Sequence, residues 1–259
     1  MSTSPTEITR FFHENGYYHA KGVYSPEELR GLEIDFDRIV EQLTHSGEEV
    51  AVRWQGAAID KIDPKSSVVI HTHNVQIYSA LWHRALLQAR FLEISQAILG
   101  PDVILHHSKL FQKPAEKGAP FPMHQDWSYF PSLKDTMMAG IIHVSNATDE
   151  MGCLRIYPGS HRLGRLSESS GQGSAESEIL KNYPIEKALV VEAEPGDVVF
   201  FNYLTLHGSM PNRSQKVRKT VLVQMHSGDD RIEEGNQHPN SRLVLSGWNP
   251  QARRSEGNK

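Results

Sequence analysis

From Ser25 the chain runs Ser-Pro-Glu-Glu, after which apolar residues recur at Leu29, Leu32, Phe36, Ile39, Val40 and Leu43. That spacing is the stripe of an amphipathic helix. Ser25 provides the N-cap, Pro26 occupies the first helical position, and Glu27 and Glu28 sit at the positive end of the helix dipole. A shorter helix is expected from Pro5-Thr6-Glu7 through His13, halted by Asn15-Gly16, and a third from about 85 to 99, halted by Gly100-Pro101. After Pro101 the pattern changes to short β-rich runs at 103–112, 138–145, 153–157, 188–192, 198–202 and 217–226, separated by Pro and Gly.

Several short strands after a helical first third predict one mostly β domain over residues 1–259. Its architecture is a double-stranded β-helix (a jelly roll, cupin-like), with a core at about 101–230 buttressed by helices at about 5–100. No fixed-period repeat is visible. Residues 162–182 are rich in Ser, Gly and Glu, the composition of a lid loop, and the tail 249–259 reads as disordered.

Composition excludes more than it selects. Net charge is 27 − 31 = −4 with His neutral, which gives no general attraction for nucleic acid or an anionic membrane. No apolar run reaches the roughly 18 residues of a membrane helix, and Met1 to Arg10 is polar, so neither a span nor a signal peptide is expected. Cys153, the one cysteine, has no partner for an internal disulfide and reads as a core residue in a reducing, cytoplasmic setting. The 14 His do stand out, since imidazole is the commonest metal ligand.

Among them, His124 is followed two residues later by Asp126; in a strand both would face the same side. A third ligand, His207, lies 83 residues on, after a strand opened by Pro195-Gly196-Asp197. Two His and one carboxylate form the facial triad of iron(II) oxygenases, although the same donor set also holds Zn²⁺ in hydrolases. Arg218 follows His207 by eleven residues, so a hairpin would return its guanidinium beside the metal to grip a carboxylate. Along 217–226, Arg218, Thr220, Leu222, Gln224 and His226 share one face, and Val217, Val221, Val223 and Met225 the other. His71 and His73 have the spacing of a ligand pair but no third ligand, and read as exposed or pocket-lining. Neighbouring His106 and His107 are expected on opposite faces, unable to chelate together. Trp127 and Tyr129 flank the metal motif, placed either to stack on substrate or to pack against the lid.

The ordered set His124-Gln125-Asp126-Trp127-Ser128-Tyr129-Phe130-Pro131, Gly152-Cys153-Leu154, Pro158-Gly159-Ser160-His161, Pro195-Gly196-Asp197 and Leu206-His207-Gly208-Ser209 to Arg218-Lys219 resembles the phytanoyl-CoA dioxygenase family. The resemblance implies a jelly roll, Fe(II), 2-oxoglutarate and O₂ as cosubstrates, and hydroxylation of an aliphatic carbon of a small molecule with release of succinate and CO₂. It places the metal ligands at His124, Asp126 and His207, and the 2-oxoglutarate contacts at Arg218 and Ser209. The strand containing His107, Lys109 and Phe111 resembles the family's pocket-lining strand, facing substrate or cosubstrate. Halogenating relatives have a small residue where Asp126 stands, so the resemblance implies hydroxylation, or a related desaturation or cyclisation. Two rivals remain: a cupin-like Zn²⁺ or Mn²⁺ hydrolase or isomerase without cosubstrate, and a non-catalytic binding or sensing protein.

Overall fold

A computed structural model describes residues 4–53, 62–63, 67–166 and 181–255. Its helices begin where the sequence places caps. In α1 (Pro5–Asn15), the side chains of Ser4 and Glu7 each accept the other residue's backbone N–H, and Gly16 ends the helix with φ +74°. Ser25 and Glu28 form the same box on α2 (Pro26–Thr44), which buries the predicted Leu29, Leu32, Phe36, Ile39 and Leu43. A short helix that the pattern did not predict, α3 (Ala80–Ala85), capped by Ser79, precedes the third expected one, α4 (Ala89–Leu99), capped by the Gln88 side chain on the amide of Phe91. The side chains of Ser79 and Gln88 each cap free amides at a helix start, so the two helices begin separately.

All strand pairing within the two sheets is antiparallel. The long sheet runs β1 (Tyr17–Ala20), β9 (Val198–Asn202), β6 (Met138–His143), β11 (Arg218–Ser227), β4 (Val103–Lys113), β3 (Val69–His73), β2 (Ala51–Val52), and β12 (Leu243–Ser246) also pairs with β4. The short sheet runs β5 (Phe121–His124), β10 (His207–Ser209), β7 (Leu154–Ile156), β8 (Leu189–Val191). The result is the expected double-stranded β-helix. Helices cover the outer face of the long sheet, where Phe36, Trp82 and Phe91 pack with Leu110, Phe200, Val221 and Val223 in the main core. Burying each such side chain stabilises the fold by about 1.5–3 kcal/mol. A second apolar cluster lies between the sheets and contains Ala139, Ile156, Val199 and Phe201. Cys153 is buried, and burial raises its thiol to about 11, consistent with a packing role.

The first hundred residues are mostly helical, as expected, but also contain β1, β2 and β3, which the pattern did not predict and which widen the long sheet. It also ties down much of the tail expected to be disordered from 249. The Gln251 amide donates to the carbonyls of Gly228 and Asp230 at 3.0 and 2.9 Å; residues 256–259 lie outside the described residues. So does 167–180 of the expected lid loop. Among the described residues, no helix is long and apolar enough to cross a membrane.

One clamp joins the N-terminal segment to the barrel. The Asp197 carboxylate accepts hydrogen bonds from Lys21 Nζ (2.9 Å), the Gly22 amide (2.9 Å) and the Glu194 amide (3.1 Å), and meets His19 Nε2 at 3.0 Å. Burial alone would raise its pKa; these partners outweigh burial and hold it at about 2.

Candidate active site

Between the sheets lies a cavity of about 250 Å³. His124 closes β5 and pairs across the short sheet with His207, which opens β10. Their rings are 4.2 Å apart between centroids. His124 donates from Nδ1 to the Pro122 carbonyl (2.7 Å) and His207 from Nδ1 to the Thr205 carbonyl (2.9 Å). These contacts place a hydrogen on Nδ1 of each imidazole and turn Nε2 toward Asp126. Asp126 is not in the strand, as its spacing from His124 predicted. It lies just beyond β5, held by its own amide on the Tyr203 carbonyl at 2.8 Å. Its Oδ1 stands 3.4 Å from His124 Nε2 and 3.6 Å from His207 Nε2, while the Gln224 amide donates to Oδ2 at 2.8 Å.

One ligand atom from each of His124, Asp126 and His207 lies within 4.8 Å of the others. Burial pushes His207 down to about 4, so it is neutral at physiological pH. For Asp126 burial works the other way, but the neighbouring His207 and His124 prevail and bring the carboxyl to about 2. Two imidazoles and one carboxylate, backed by carbonyls and an amide, form a donor set that fits a divalent iron.

Arg218 opens β11 and lines the same cavity, although not by the expected hairpin. β10 and β11 belong to different sheets, so Arg218 faces the ligands from the opposite wall. Its side chain is buried; one nitrogen donates to the Gly152 carbonyl, Nε has no partner, and no carboxylate of the described residues pairs with it. Ser209 accepts from Lys113 Nζ at 2.7 Å. Lys113 is fully buried, and burial together with the Arg218 charge pulls its pKa well down. A buried guanidinium that no carboxylate of the described residues pairs with fits an anionic guest.

The predicted faces hold. Thr220, Leu222 and Gln224 line the cavity from β11, with Val221, Val223 and Met225 in the core behind. His226 lines a separate cleft instead. His107, Lys109 and Phe111 line the cavity from β4, and Tyr129 joins them. Trp127 does not: its indole donates to the Leu166 carbonyl at 3.3 Å, and the Arg165 guanidinium lies over its ring. His106 and His107 are in contact through their Nδ1 atoms at 2.7 Å, contrary to the expectation of opposite faces. Gln224 pairs with His107 and Met225 with Leu105, so His106 is the extra residue of a bulge. Lys113, His143 and His238 join the cavity or its border without having stood out in the sequence. Lys113 continues the 107–109–111 alternation of β4, which is a legible signal, whereas nothing local marks His238.

The family model described as phytanoyl-CoA dioxygenase (PhyH) matches residues 12–220. The chain belongs to this family. It is an iron- and 2-oxoglutarate-dependent oxygenase. Peroxisomal phytanoyl-CoA dioxygenase from Mus musculus is 27% identical over 233 residues, covering 86% of this chain and 68% of that protein. Ectoine dioxygenase from Bordetella bronchiseptica is 24% identical over 241 residues, covering 85% and 75%. Among solved structures, the α-ketoglutarate-dependent carbocyclase SnoK from nogalamycin biosynthesis superposes with a TM-score of 0.72 at 22% identity, covering 94% of this chain and 93% of that one. Iron-bound EctD from S. alaskensis gives 0.70 at 20% identity, covering 95% and 86%. At these identities the likeness to the solved structures establishes a common fold.

Proposed function

We propose that this chain hydroxylates an aliphatic C–H of a small organic molecule, with His124, Asp126 and His207 holding the iron and Arg218 and Ser209 anchoring the distal carboxylate of 2-oxoglutarate. The observation that carries the reading is one buried cavity with a complete triad on one wall and, on the opposite wall, a guanidinium lacking any carboxylate partner among the described residues. When bound, the iron and 2-oxoglutarate supply the oxidising chemistry, consuming O₂ and releasing succinate and CO₂.

The chain's own residues orient and shield. Carbonyls 122 and 205 hold the two imidazoles with Nε2 forward, and Gln224 turns Oδ1 of Asp126 toward them. Arg218 offers a planar fork, and Lys113 orients the Ser209 hydroxyl at the same end. Phe111, Phe121 and Phe130 line the remaining wall and keep it dry, while Lys109 gives it one cation, lowered to about 8 by burial.

Measuring succinate formation and O₂ uptake across a panel of acyl thioesters, zwitterions and secondary metabolites tests the proposal. A substrate-dependent rise in both, with product one oxygen heavier, is expected. Succinate without any oxidised product across the panel would remove the hydroxylase assignment, and its absence in iron-loaded protein would remove the catalytic one.

A further inference from the structure

A second cluster of histidines borders the cavity, two of them, His107 and His238, lining it beside the proposed iron ligands. His73 ends β3, His107 sits at the bulge of β4, and His238 lines the cavity from the 228–242 segment between β11 and β12. That segment is pinned on both sides: the Gln237 amide donates to the Tyr129 carbonyl (2.7 Å) and the Ser241 amide to the His106 carbonyl (2.7 Å). Next to His238, Asn236 donates from its side chain to the His238 carbonyl at 2.8 Å. The ring is thus placed by a tethered segment and not by a loose loop.

His73 Nε2 lies 3.0 Å from His238 Nδ1, and the His107 ring stacks on His238 with centroids 5.0 Å apart. One nitrogen from each of the three comes within 4.8 Å of the others. The other side of His107 is occupied: its Nδ1 meets His106 Nδ1 at 2.7 Å, the kind of contact that orients a ligating imidazole from behind. Burial, reinforced by Lys109, pushes His73 to about 3 and His238 to about 4, so the rings carry no charge at neutral pH. A pair of neutral imidazoles nitrogen to nitrogen needs only a change of tautomer to present two lone pairs.

We propose that His73, His107 and His238 form a second transition-metal site, distinct from the iron triad. It is a three-imidazole site without a carboxylate, whose remaining position opens into the substrate cavity. Three neutral nitrogens select a borderline-soft dication of the zinc, copper, nickel or cobalt type over the hard ions magnesium and calcium. The Lys109 charge opposes the ion and that of Asp126 favours it. An ion here lies in the path of substrate and not in the iron position.

Cobalt(II) is a suitable probe because it enters both kinds of site and its visible spectrum reports coordination number. Equilibrium dialysis of the full chain against cobalt(II), followed by elemental analysis, should give two ions per chain. His238→Ala should give one, with loss of the intense bands of a low-coordinate ion. His124→Ala should also give one, with those bands retained, and the double variant none. His73→Gln, which keeps the strand's polar character, guards against a fold defect at His238 and should match His238→Ala. His106→Phe should weaken the second ion by roughly 10- to 100-fold. One ion per chain in wild type, or two in folded His238→Ala and His73→Gln, overturns the proposal. This outcome is independent of catalysis, so it stands or falls apart from the hydroxylase reading.

Discussion

The two sheets of the barrel divide the site between them, and they hold it in different ways. The short sheet has strands of 3 or 4 residues and contributes His124 and His207, the two histidines of the proposed triad. It fixes them through main-chain carbonyls at 122 and 205. The long sheet, with strands up to 11 residues and helices behind it, contributes Arg218 and Gln224, held by their place on a rigid strand. The proposed histidine ligands are placed by backbone over very short reach. Arg218, proposed to recognise a guest, is placed by strand register over a long one, and Ser209 on β10 meets it from the short sheet.

The largest effect expected is at the short sheet. His124→Ala, Asp126→Ala and His207→Ala should each lose iron and turnover by more than the roughly 10- to 100-fold that a supporting residue costs, with circular dichroism unchanged. Wild-type iron content in any one of them would remove that residue from the site. Across the cavity, Arg218→Ala should leave iron in place and raise the KM for 2-oxoglutarate about 30- to 1000-fold, equivalent to about 2–4 kcal/mol. Arg218→Lys should recover part of this, because an ammonium lacks the planar fork. A KM within about threefold of wild type for Arg218→Ala would place the carboxylate elsewhere. Gln224→Leu joins the two sheets' roles, since it releases Oδ2 of Asp126; iron affinity should fall by about 10- to 100-fold, with 2-oxoglutarate affinity little changed at saturating iron.

Legibility from sequence follows the same divide. His124, His207 and Arg218 stand in short ordered motifs, and the polar and apolar alternation of 217–226 by itself marks the cavity face of β11. A spacing of two from His124 implies a strand position for Asp126, but the Tyr203 carbonyl, 77 residues away, takes its amide. β1, β2 and β3 leave little local trace because each is 2 to 5 residues long and stabilised by partners far along the chain, such as Phe201 opposite Tyr17. The bulge at His106 is likewise invisible locally, since it exists only against β11.

Two smaller effects sharpen the contrast between site and scaffold. The Asp197 pKa is depressed to about 2, so its contribution to stability is complete above the unfolded value near 3.8 and lost as pH falls from there toward 2. Urea unfolding against pH should show Asp197→Asn less stable at neutral pH and lacking that part of the acid dependence; parallel profiles for the two proteins would show the clamp contributes nothing. Smallest of all, Ser25→Ala should remove about 1 kcal/mol of stability through the α2 cap and leave the KM for 2-oxoglutarate unmoved. A changed KM would mean the helical layer tunes the cavity as well as supporting it.

The carbonyls behind His124 and His207 have one more consequence. A peptide oxygen is present whatever side chain its residue carries, so the aim of the two rings is insulated from substitution at the residues that set it. The wall opposite has no such protection: His107, Lys109 and Phe111 on β4 and His238 on its tethered segment act through side-chain identity alone. Mutations there rewrite what the cavity admits while the oxidising centre keeps its geometry. A barrel built in this way can explore new substrates one residue at a time without first losing its metal.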